Sequence, residues 1–275
     1  AAILAQLRRL KSDLIYTWGT AATLAVAGTE KPSSSADPHI RDIPIVFASV
    51  TDPVAAALVS ELEHPGRNLT GANDLPPLEL QLRTMRAYRP VHKLGMLYTP
   101  TEINAVFVRD RLRSLGATQD LELIDEPVAL DAHGEPDAAS IPAAVEQLRR
   151  RGAEMLYIGP DTFVGFTHAD EVTGAALQAG LPSFAVRESA VRNSKALFGL
   201  SGSLTGVGRF AAYKALRILQ DKVPPEQLPI ETLPNFSLLI NMDVARQLRA
   251  YPPMVLVDIA GVVRTGGASG PPGLV

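Results

Sequence analysis

The chain of 275 residues contains no cysteine. Disulfides, thiol nucleophiles, zinc ribbons and iron–sulfur clusters are therefore excluded together, because each depends on cysteine sulfur. The five histidines are scattered, and no two stand at the spacing that helices or hairpins use for metal ligands. We therefore expect no metal site and no metal cofactor.

An excess of positive charge is also lacking, since 26 Lys and Arg residues stand against 29 Asp and Glu residues. Nucleic acid is not an expected partner, because a protein that binds it needs a basic face. No run of about 18 apolar residues occurs, which argues against a membrane-spanning helix. The first residues, AAILAQLRRLK, lack the order of basic, apolar and cleavable segments that marks a secretion signal.

Short runs rich in Val, Ile, Leu and aromatic residues alternate with segments of helical periodicity. The predicted strands are Asp13–Trp18, Ile43–Val50, Lys93–Thr99, Leu121–Val128, Glu154–Gly159, Pro182–Val186, Ala196–Leu200 and Glu231–Ile240. The predicted helices are Thr20–Ala27, Pro53–Glu61, Pro77–Tyr88, Asn104–Leu115, Ser140–Arg151, Phe163–Ala179, Thr205–Asp221 and Met242–Ala250. This alternation is typical of parallel sheets covered on both faces, so the predicted fold class is α/β.

Polar residues cluster directly after several predicted strands, where open α/β sheets bind their ligands. The loops concerned are Gly19-Thr20, Ser49–Pro53, Thr99–Asn104 and Gly159–Thr162. Thr20, Asp52 and Asp161 are each placed to cap the helix that follows, and capping alone is one interpretation of each residue. Several helix starts in such positions favour a shared site for an anion or a carboxylate.

Aromatic residues are few, with one Trp, six Tyr and eight Phe. Three of them, Trp18, Tyr98 and Phe184, fall near the carboxyl ends of predicted strands. Core packing and stacking against a ligand both remain open for these three, because pockets for small molecules have apolar walls with a few polar anchors.

A nucleotide-dependent enzyme is one alternative that the sequence leaves open. The segment Gly206–Ala211 reads GxGxxA after a predicted strand, but the acidic residue expected about 20 residues further on is not in place. Asp52, Glu102 and Asp161 are able to converge, yet no nucleophile or base stands beside them. A binding site therefore needs fewer assumptions than a catalytic one.

One block of the sequence is distinctive. DIPIVFASVTDPVAAALV (Asp42–Val59), followed by HPGRNLTG (His64–Gly71), resembles the ABC transporter substrate-binding proteins of the tryptophan and tyrosine uptake type. Further matches follow in order: KLGMLYTPTEIN (Lys93–Asn104), AEMLYIGPDTFV (Ala153–Val164), LPSFAV (Leu181–Val186), GRFAAYKALRIL (Gly208–Leu219) and LLINMDVARQL (Leu238–Leu248). The resemblance covers most of the chain.

The resemblance implies a two-lobed fold of the type I periplasmic-binding-protein kind, in which a ligand lies between lobes that close about a hinge. It places residues 1–89 with 196–222 in the first lobe, residues 90–195 with 223–263 in the second, and a mobile tail at residues 264–275. Closure of this kind shifts a pre-existing equilibrium, because the ligand makes better contacts in the closed state. No covalent chemistry and no cofactor are implied.

Position by position, the resemblance also implies a set of ligand-binding residues. They are Trp18, Gly19, Thr20, Ser49, Val50, Thr51, Asp52, Tyr98, Thr99, Glu102, Asn104, Pro160, Asp161 and Phe184. Thr20, Ser49 and Thr51 would offer hydroxyls and helix-start amides to a carboxylate, and Asn104 and Asp161 would reach the ligand from the second lobe. Asp161 or Glu102 would pair with an amino group, so an amino acid with a flat or apolar side chain is the expected ligand.

Two features depart from the family pattern. Members usually begin with a further strand, helix and strand before the segment that matches Ser12–Thr20, and we expect the first lobe here to lack that unit. Trp18 is bulkier than the residue expected beside the Gly19-Thr20 turn, so it either fills part of the pocket or stacks on the ligand.

The leading hypothesis is therefore the solute-binding component of an ABC importer, which binds a small molecule reversibly and is not an enzyme. It would act as a monomer in the periplasm, or lipid-anchored outside the cytoplasmic membrane, and would dock on a membrane permease. Besides the enzyme, the ligand-sensing domain of a regulator remains an alternative, because one fold serves several functions.

Overall fold

The computed structural model describes residues 2–31 and 37–264. Its strands are β1 (Ile15–Trp18), β2 (Ile45–Ala48), β3 (Leu69–Asn73), β4 (Lys93–Tyr98), β5 (Glu122–Pro127), β6 (Met155–Ile158), β7 (Ser183–Ala185), β8 (Phe198–Gly202), β9 (Glu231–Thr232), β10 (Phe236–Asn241) and β11 (Gly261–Val263). Its helices are α1 (Ala2–Leu10), α2 (Thr20–Ala27), α3 (Leu78–Tyr88), α4 (Ile103–Gly116), α5 (Ile141–Arg150), α6 (Ala169–Gln178), α7 (Glu188–Arg192), α8 (Leu204–Leu219), α9 (Met242–Gln247) and α10 (Met254–Val257). Except for Arg264, the tail expected at residues 264–275 lies outside the described residues.

The described chain forms two compact units and passes between them three times. The first unit contains the chain up to Leu75 together with Gly202–Asn235, and the second contains Pro76–Ser201 together with the chain from Phe236 onward. These crossings differ from the boundaries that the resemblance implies. Helix α3 belongs to the second unit, because its Tyr88 ring stacks on Phe198 with 4.2 Å between the ring centroids. Residues 223–235 belong to the first unit, because β9 pairs with β3.

In the first unit, the described strands form a parallel sheet in the order β1-β2-β3-β9. Every residue of β2 is buried, as expected for a strand covered on both faces. Helix α8 packs Val207 and Ala211 against Val46, Ala48 and Ala72 of β2 and β3, which makes the core of this unit.

In the second unit, the described strands form one sheet in the order β11-β10-β8-β7-β6-β4-β5. The pairs β4–β5, β4–β6, β6–β7, β7–β8 and β10–β11 are parallel. All of β6 is buried, and its Leu156 and Ile158 share a core cluster with Val145 and Leu148 of α5 and Val172 of α6. The predicted α/β class with mainly parallel sheets flanked by helices is confirmed.

One predicted helix, Pro53–Glu61, is wrong. Asp52 Oδ1 accepts hydrogen bonds from the backbone N–H groups of Val54 (3.1 Å) and Ala55 (2.9 Å), so a turn does begin there. The turn stops at Ala57, whose φ of 52° is in the left-handed region that a helix cannot continue through. The predicted strand Glu231–Ile240 is likewise two strands, β9 and β10, which belong to different sheets.

Strand β3 was not predicted, because its sequence LTGAN contains residues that strands disfavour. Gly71 is required there for space, since a Cβ atom on it would lie 2.3 Å from the Phe47 ring on the neighbouring strand. Helices α1, α7 and α10 were also not predicted. Within the described part of the chain, no helix combines the length and the apolar character that crossing a membrane requires.

Two glycine substitutions are predicted to change stability in opposite directions. Gly71→Ala should lower the free energy of unfolding by about 1–3 kcal/mol, because the added methyl group overpacks the sheet against Phe47. Gly208→Ala should raise it by about 0.5–1 kcal/mol, because Gly208 lies inside α8 with open space at the Cβ position. Urea unfolding of the whole chain measures both values, and equal signs for the two variants would contradict the packing described.

Candidate functional site

The first group of candidate residues lies at the carboxyl edge of the first unit's sheet. Trp18 pairs with Ala48, and Ala48 pairs with Ala72, so the residues that follow all three leave the sheet side by side. The backbone N–H of Gly19 donates to the Ala48 carbonyl (2.9 Å), and that of Ser49 donates to the Ala72 carbonyl (3.0 Å). The loops after β1, β2 and β3 therefore start from one continuous line of hydrogen bonds.

Two of these loops begin in unusual backbone conformations. Gly19 has φ 79° and Ser49 has φ 56°, both in the left-handed region. For Ser49 this conformation is costly, and such strain persists where the surroundings fix it, often at functional sites. Here the Ser49 hydroxyl donates to Asp74 Oδ1 at 2.7 Å, which ties the loop after β2 to the loop after β3.

Further hydrogen bonds join the same three loops. The N–H of Thr51 donates to the buried Thr20 hydroxyl oxygen (3.2 Å), and Asn73 Nδ2 donates to the Thr51 carbonyl (3.1 Å). Asn73 Oδ1 in turn accepts from the N–H groups of Asp74 (2.8 Å) and Leu75 (3.0 Å). These contacts fix the main chain of the loops before any ligand binds.

The three strand-end aromatic residues have different surroundings. The Trp18 residue is 43% exposed and is accessible to a ligand. Tyr98 is 7% exposed, and its hydroxyl accepts a hydrogen bond from Arg109 Nη1 at 2.9 Å. Phe184 is fully buried and packs edge-on against Phe198 with 5.1 Å between centroids, so it is a core residue and we leave it out of the candidate site.

In the second unit, Asp161 holds the loops after β4 and β6 together. Its carboxylate accepts hydrogen bonds from the Thr99 N–H (2.7 Å), the Thr99 hydroxyl (3.0 Å) and the Val164 N–H (2.7 Å). Burial raises the pKa of this carboxyl above its ordinary value, and the charge of Glu102 adds to the rise, while the hydrogen bonds from Val164 and Thr99 oppose it. With its acceptor oxygens bonded inside the protein, Asp161 acts as a clamp between loops.

Glu102 makes a second clamp between the same loops. Its two carboxylate oxygens accept hydrogen bonds from the N–H groups of Thr162 (2.8 Å) and Phe163 (3.0 Å). Hydrogen bonds of this kind satisfy the orphan N–H groups at the start of a helical turn. Glu102 and Asp161, the two residues expected to meet a ligand amino group, thus both bind backbone N–H groups of this chain.

The helix predicted over Phe163–Ala179 is interrupted. A π-helical turn spans Phe163–Thr167, and α6 follows it. Gly165 permits this turn, because a Cβ atom there would lie 2.6 Å from the carbonyl oxygen of Gly159. Turns of the π type occur frequently at functional sites. Phe166, within this turn, is 64% exposed.

The remaining predicted residues contribute in different ways. Val50 and Pro160 are buried. Asn104 is half-buried, and its Oδ1 atom has no hydrogen-bond partner among the described residues. Asp52 is engaged with the turn that follows it.

Residues at two strand ends were missed by sequence reasoning. Asn73 and Asp74 follow β3, and the prediction of that strand would have pointed to them. Arg187 is the first polar residue after LPSFAV and follows β7, and the candidate predicted at this strand end was the aromatic Phe184.

The signals for other chemistry find little support in the structure. Both glycines of the GxGxxA segment, Gly206 and Gly208, lie inside α8, whereas a dinucleotide-binding turn places its first glycine before the helix. In residues 2–31 and 37–264, no group of three His, Asp or Glu side chains is arranged to hold a metal ion.

Comparison with known proteins identifies the family of this chain. The family model for ABC transporter substrate binding proteins matches residues 1–263. This chain belongs to that family. A curated substrate-binding relative, the tyrosine-binding protein of Clostridioides difficile (strain R20291), is 26% identical over 239 residues, which are 86% of this chain. The chain spans 63% of the length of that relative.

Solved structures show the same fold. A conserved domain protein from Vibrio cholerae has a TM-score of 0.80 and 27% identity, with 95% of this chain and 82% of that chain covered. The ABC domain in complex with L-Trp from Streptococcus pneumonia has a TM-score of 0.77 and 21% identity, with 95% and 84% covered. The predicted two-lobed fold is thereby confirmed for this substrate-binding family member.

Thr99→Val is predicted to weaken the Asp161 clamp in this ABC transporter substrate-binding chain. The change keeps the shape of the side chain but removes the hydroxyl that donates to the buried carboxylate, so the free energy of unfolding should fall by about 1.5–3 kcal/mol at neutral pH. Thr101→Val is the matched control, because Thr101 is exposed and has no hydrogen-bond partner among the described residues. An equal loss in both variants, measured by urea unfolding, would show that the hydroxyl bond is not what holds the loops.

Proposed function

We propose that this chain is the solute-binding component of an ABC importer and that it reversibly binds an amino acid at its strand-end loops. The observation that carries the proposal is the preformed state of these loops in a chain of the ABC transporter substrate-binding family. Loops held by internal hydrogen bonds lose little conformational freedom when a ligand binds, which favours affinity. The acids at these strand ends are used as clamps, and this supports binding without turnover.

The proposed ligand has an aromatic side chain. The exposed Trp18 supports this, since aromatic rings stack on one another in offset or edge-on arrangements. Two relatives also support it: one is described as a tyrosine-binding protein, and another was solved in complex with L-Trp. Phe166, exposed beside the candidate loops of the second unit, supplies a further apolar surface.

The proposed contact for the ligand's amino group is Asn104 rather than Asp161 or Glu102. The Oδ1 atom of Asn104 has no partner among the described residues and would accept a hydrogen bond from an ammonium group that reaches it, although it is shielded from solvent in the ligand-free chain. Asp161 is buried, and each Glu102 oxygen already accepts one backbone N–H, so the ammonium contact is assigned to the acceptor that has no partner among the described residues.

The proposed partner is a membrane permease, and the proposed location is outside the cytoplasmic membrane, either periplasmic or lipid-anchored. Both follow from the family, whose members serve ABC transporters. We further propose that the chain acts as a monomer and uses no cofactor.

Ligand titration tests the proposal. We expect L-tyrosine or L-tryptophan to raise the thermal midpoint of the whole chain, because a ligand that binds only the native state stabilises it by about 2.7 kcal/mol at 100 times its Kd. Calorimetry should give one site per chain, and the ligand should be recovered unchanged after long incubation. Stabilisation by nucleotides but not by amino acids, or conversion of the ligand, would favour the enzyme alternative and overturn the proposal.

Trp18→Ala is predicted to weaken binding of the aromatic amino acid by about tenfold, because an aromatic pair contributes about 0.5–1.5 kcal/mol beyond the area it buries. The matched control is Tyr16→Ala, since Tyr16 is on the same strand and the same face and is 50% exposed, but precedes the strand end. Calorimetric titration of both variants measures the difference. A similar loss of affinity in the two variants would argue against a stacking role for Trp18.

A further inference from the structure

Arg187 occupies the carboxyl edge of the second unit's sheet without any assigned role. It is the second residue after β7 and immediately precedes α7. Strand β7 pairs with β6 so that Ala185 is opposite Ile158, and the N–H of Val186 donates to the Ile158 carbonyl at 3.2 Å. Arg187 therefore leaves the sheet at the same edge as Asp161, on the neighbouring strand.

The Arg187 side chain lacks a partner among the described residues. It makes no hydrogen bond or ion pair there, and its Nε atom is shielded from solvent with no acceptor within reach. Arg192, one helical turn further along α7, instead pairs with Glu188, and Arg109 pairs with Asp110 at 2.7 Å. A buried Nε–H donor without an acceptor is unfavourable, because burial removes hydration that no protein group replaces.

The surrounding groups indicate the chemistry that would satisfy this arginine. The nearby carboxylates, Asp161 and Glu102, are bonded to N–H and O–H groups of their own loops, and no ion pair joins either of them to Arg187 within the described residues. A guanidinium is a planar fork of donors that fits the two oxygens of a carboxylate. Across β6, near the end of β4, the Asn104 Oδ1 atom is an acceptor without a partner. This edge thus carries a cationic side chain and an acceptor without protein partners, although the Arg187 Nε and Asn104 Oδ1 atoms themselves are shielded from solvent; the pair has the chemistry that complements a zwitterion.

We propose that Arg187 binds the carboxylate of the ligand. The inference rests on the proposed function and assigns the carboxylate contact to the second unit. Of the hydroxyls expected to bind it, that of Ser49 already donates its proton to Asp74, whereas those of Thr20 and Thr51 keep a donor and would add to the Arg187 contact. Arg187 is then a specificity-determining residue, since a ligand without a carboxylate leaves its guanidinium unpaired.

Matched ligand pairs test this assignment in the whole chain. L-tyrosine is compared with tyramine, and L-tryptophan with tryptamine, because each amine keeps the ring and the ammonium group but lacks the carboxylate. The wild-type chain should bind the amino acids more tightly. Arg187→Gln should weaken amino-acid binding by about 10- to 100-fold and leave amine binding nearly unchanged, since bonds to charged groups are worth about 1.5–3 kcal/mol. Arg187→Lys should recover part of the loss, because it keeps the charge without the fork.

Arg149→Gln is the matched control. It removes the same charge from the same unit, but Arg149 is exposed near the end of α5, which precedes the amino end of β6. It should change neither affinity nor preference. Equal preference for amino acid over amine in wild type and Arg187→Gln would overturn the assignment while leaving the proposed function in place.

If the wild-type chain binds neither amino acid, the proposed function fails. The role of Arg187 is then tested by the thermal midpoint of the ligand-free chain. An arginine reserved for a ligand carboxylate is not needed by the empty protein, so Arg187→Met should keep or raise the thermal midpoint of the ligand-free chain. A midpoint lowered by several degrees, with Arg149→Gln unchanged, would show that Arg187 serves the fold and would overturn the inference.

Discussion

Parallel strand pairing is the constraint on which the candidate site depends. In the first unit, the register of β1, β2 and β3 brings the ends of all three strands into one line, so three loops start next to one another. Polar groups that are far apart in the sequence, such as Thr20, Thr51 and Asn73, then become hydrogen-bond partners. The same constraint brings Thr99 and Asp161 together in the second unit, although they are 62 residues apart in the chain.

Acidic residues in these loops hold the loops together. Asp52, Asp74, Glu102 and Asp161 each accept a hydrogen bond from a group of the protein itself. A carboxylate that accepts backbone N–H groups near a helix start satisfies donors that otherwise lack a partner. A cluster of acids at strand ends is therefore not by itself evidence of acid–base chemistry. Among the described residues, four buried polar atoms lack a hydrogen-bond partner, on Arg67, Asn104, Arg187 and Arg217, and those of Asn104 and Arg187 follow the carboxyl ends of strands.

The α/β class, most strands and most long helices could be predicted from the sequence, because buried parallel strands are continuous apolar runs such as IVFA and MLYI. The elements that could not be predicted depend on tertiary contacts. Strand β3 contains Gly71, and the need for glycine there comes from the Phe47 ring on the neighbouring strand. The turn after Pro53 ends because Ala57 has a left-handed backbone conformation, which the local sequence does not predict.

The candidate site was predictable to a similar degree. The candidate loops could be predicted, because they directly follow predicted strands. The burial and the hydrogen-bond partners of each side chain could not be predicted. The core position of Phe184 depends on its packing against Phe198, and the engagement of Asp161 depends on Thr99. Arg187 is recognised only by the absence of a partner, which requires knowledge of its neighbours in space.

The order of chain segments in the two units has a consequence for biosynthesis. The first unit needs α8 and β9, which are synthesised after most of the second unit, and Thr70 bonds to the Leu228 carbonyl across 158 residues. A nascent chain on the ribosome therefore holds β1, β2 and β3 without their covering helix until the segment up to Asn235 has emerged. Contacts between such distant segments form slowly, and partly formed sheets expose apolar edges in the meantime. The interleaved chain thus delays completion of the amino-terminal sheet until these later segments have been synthesised.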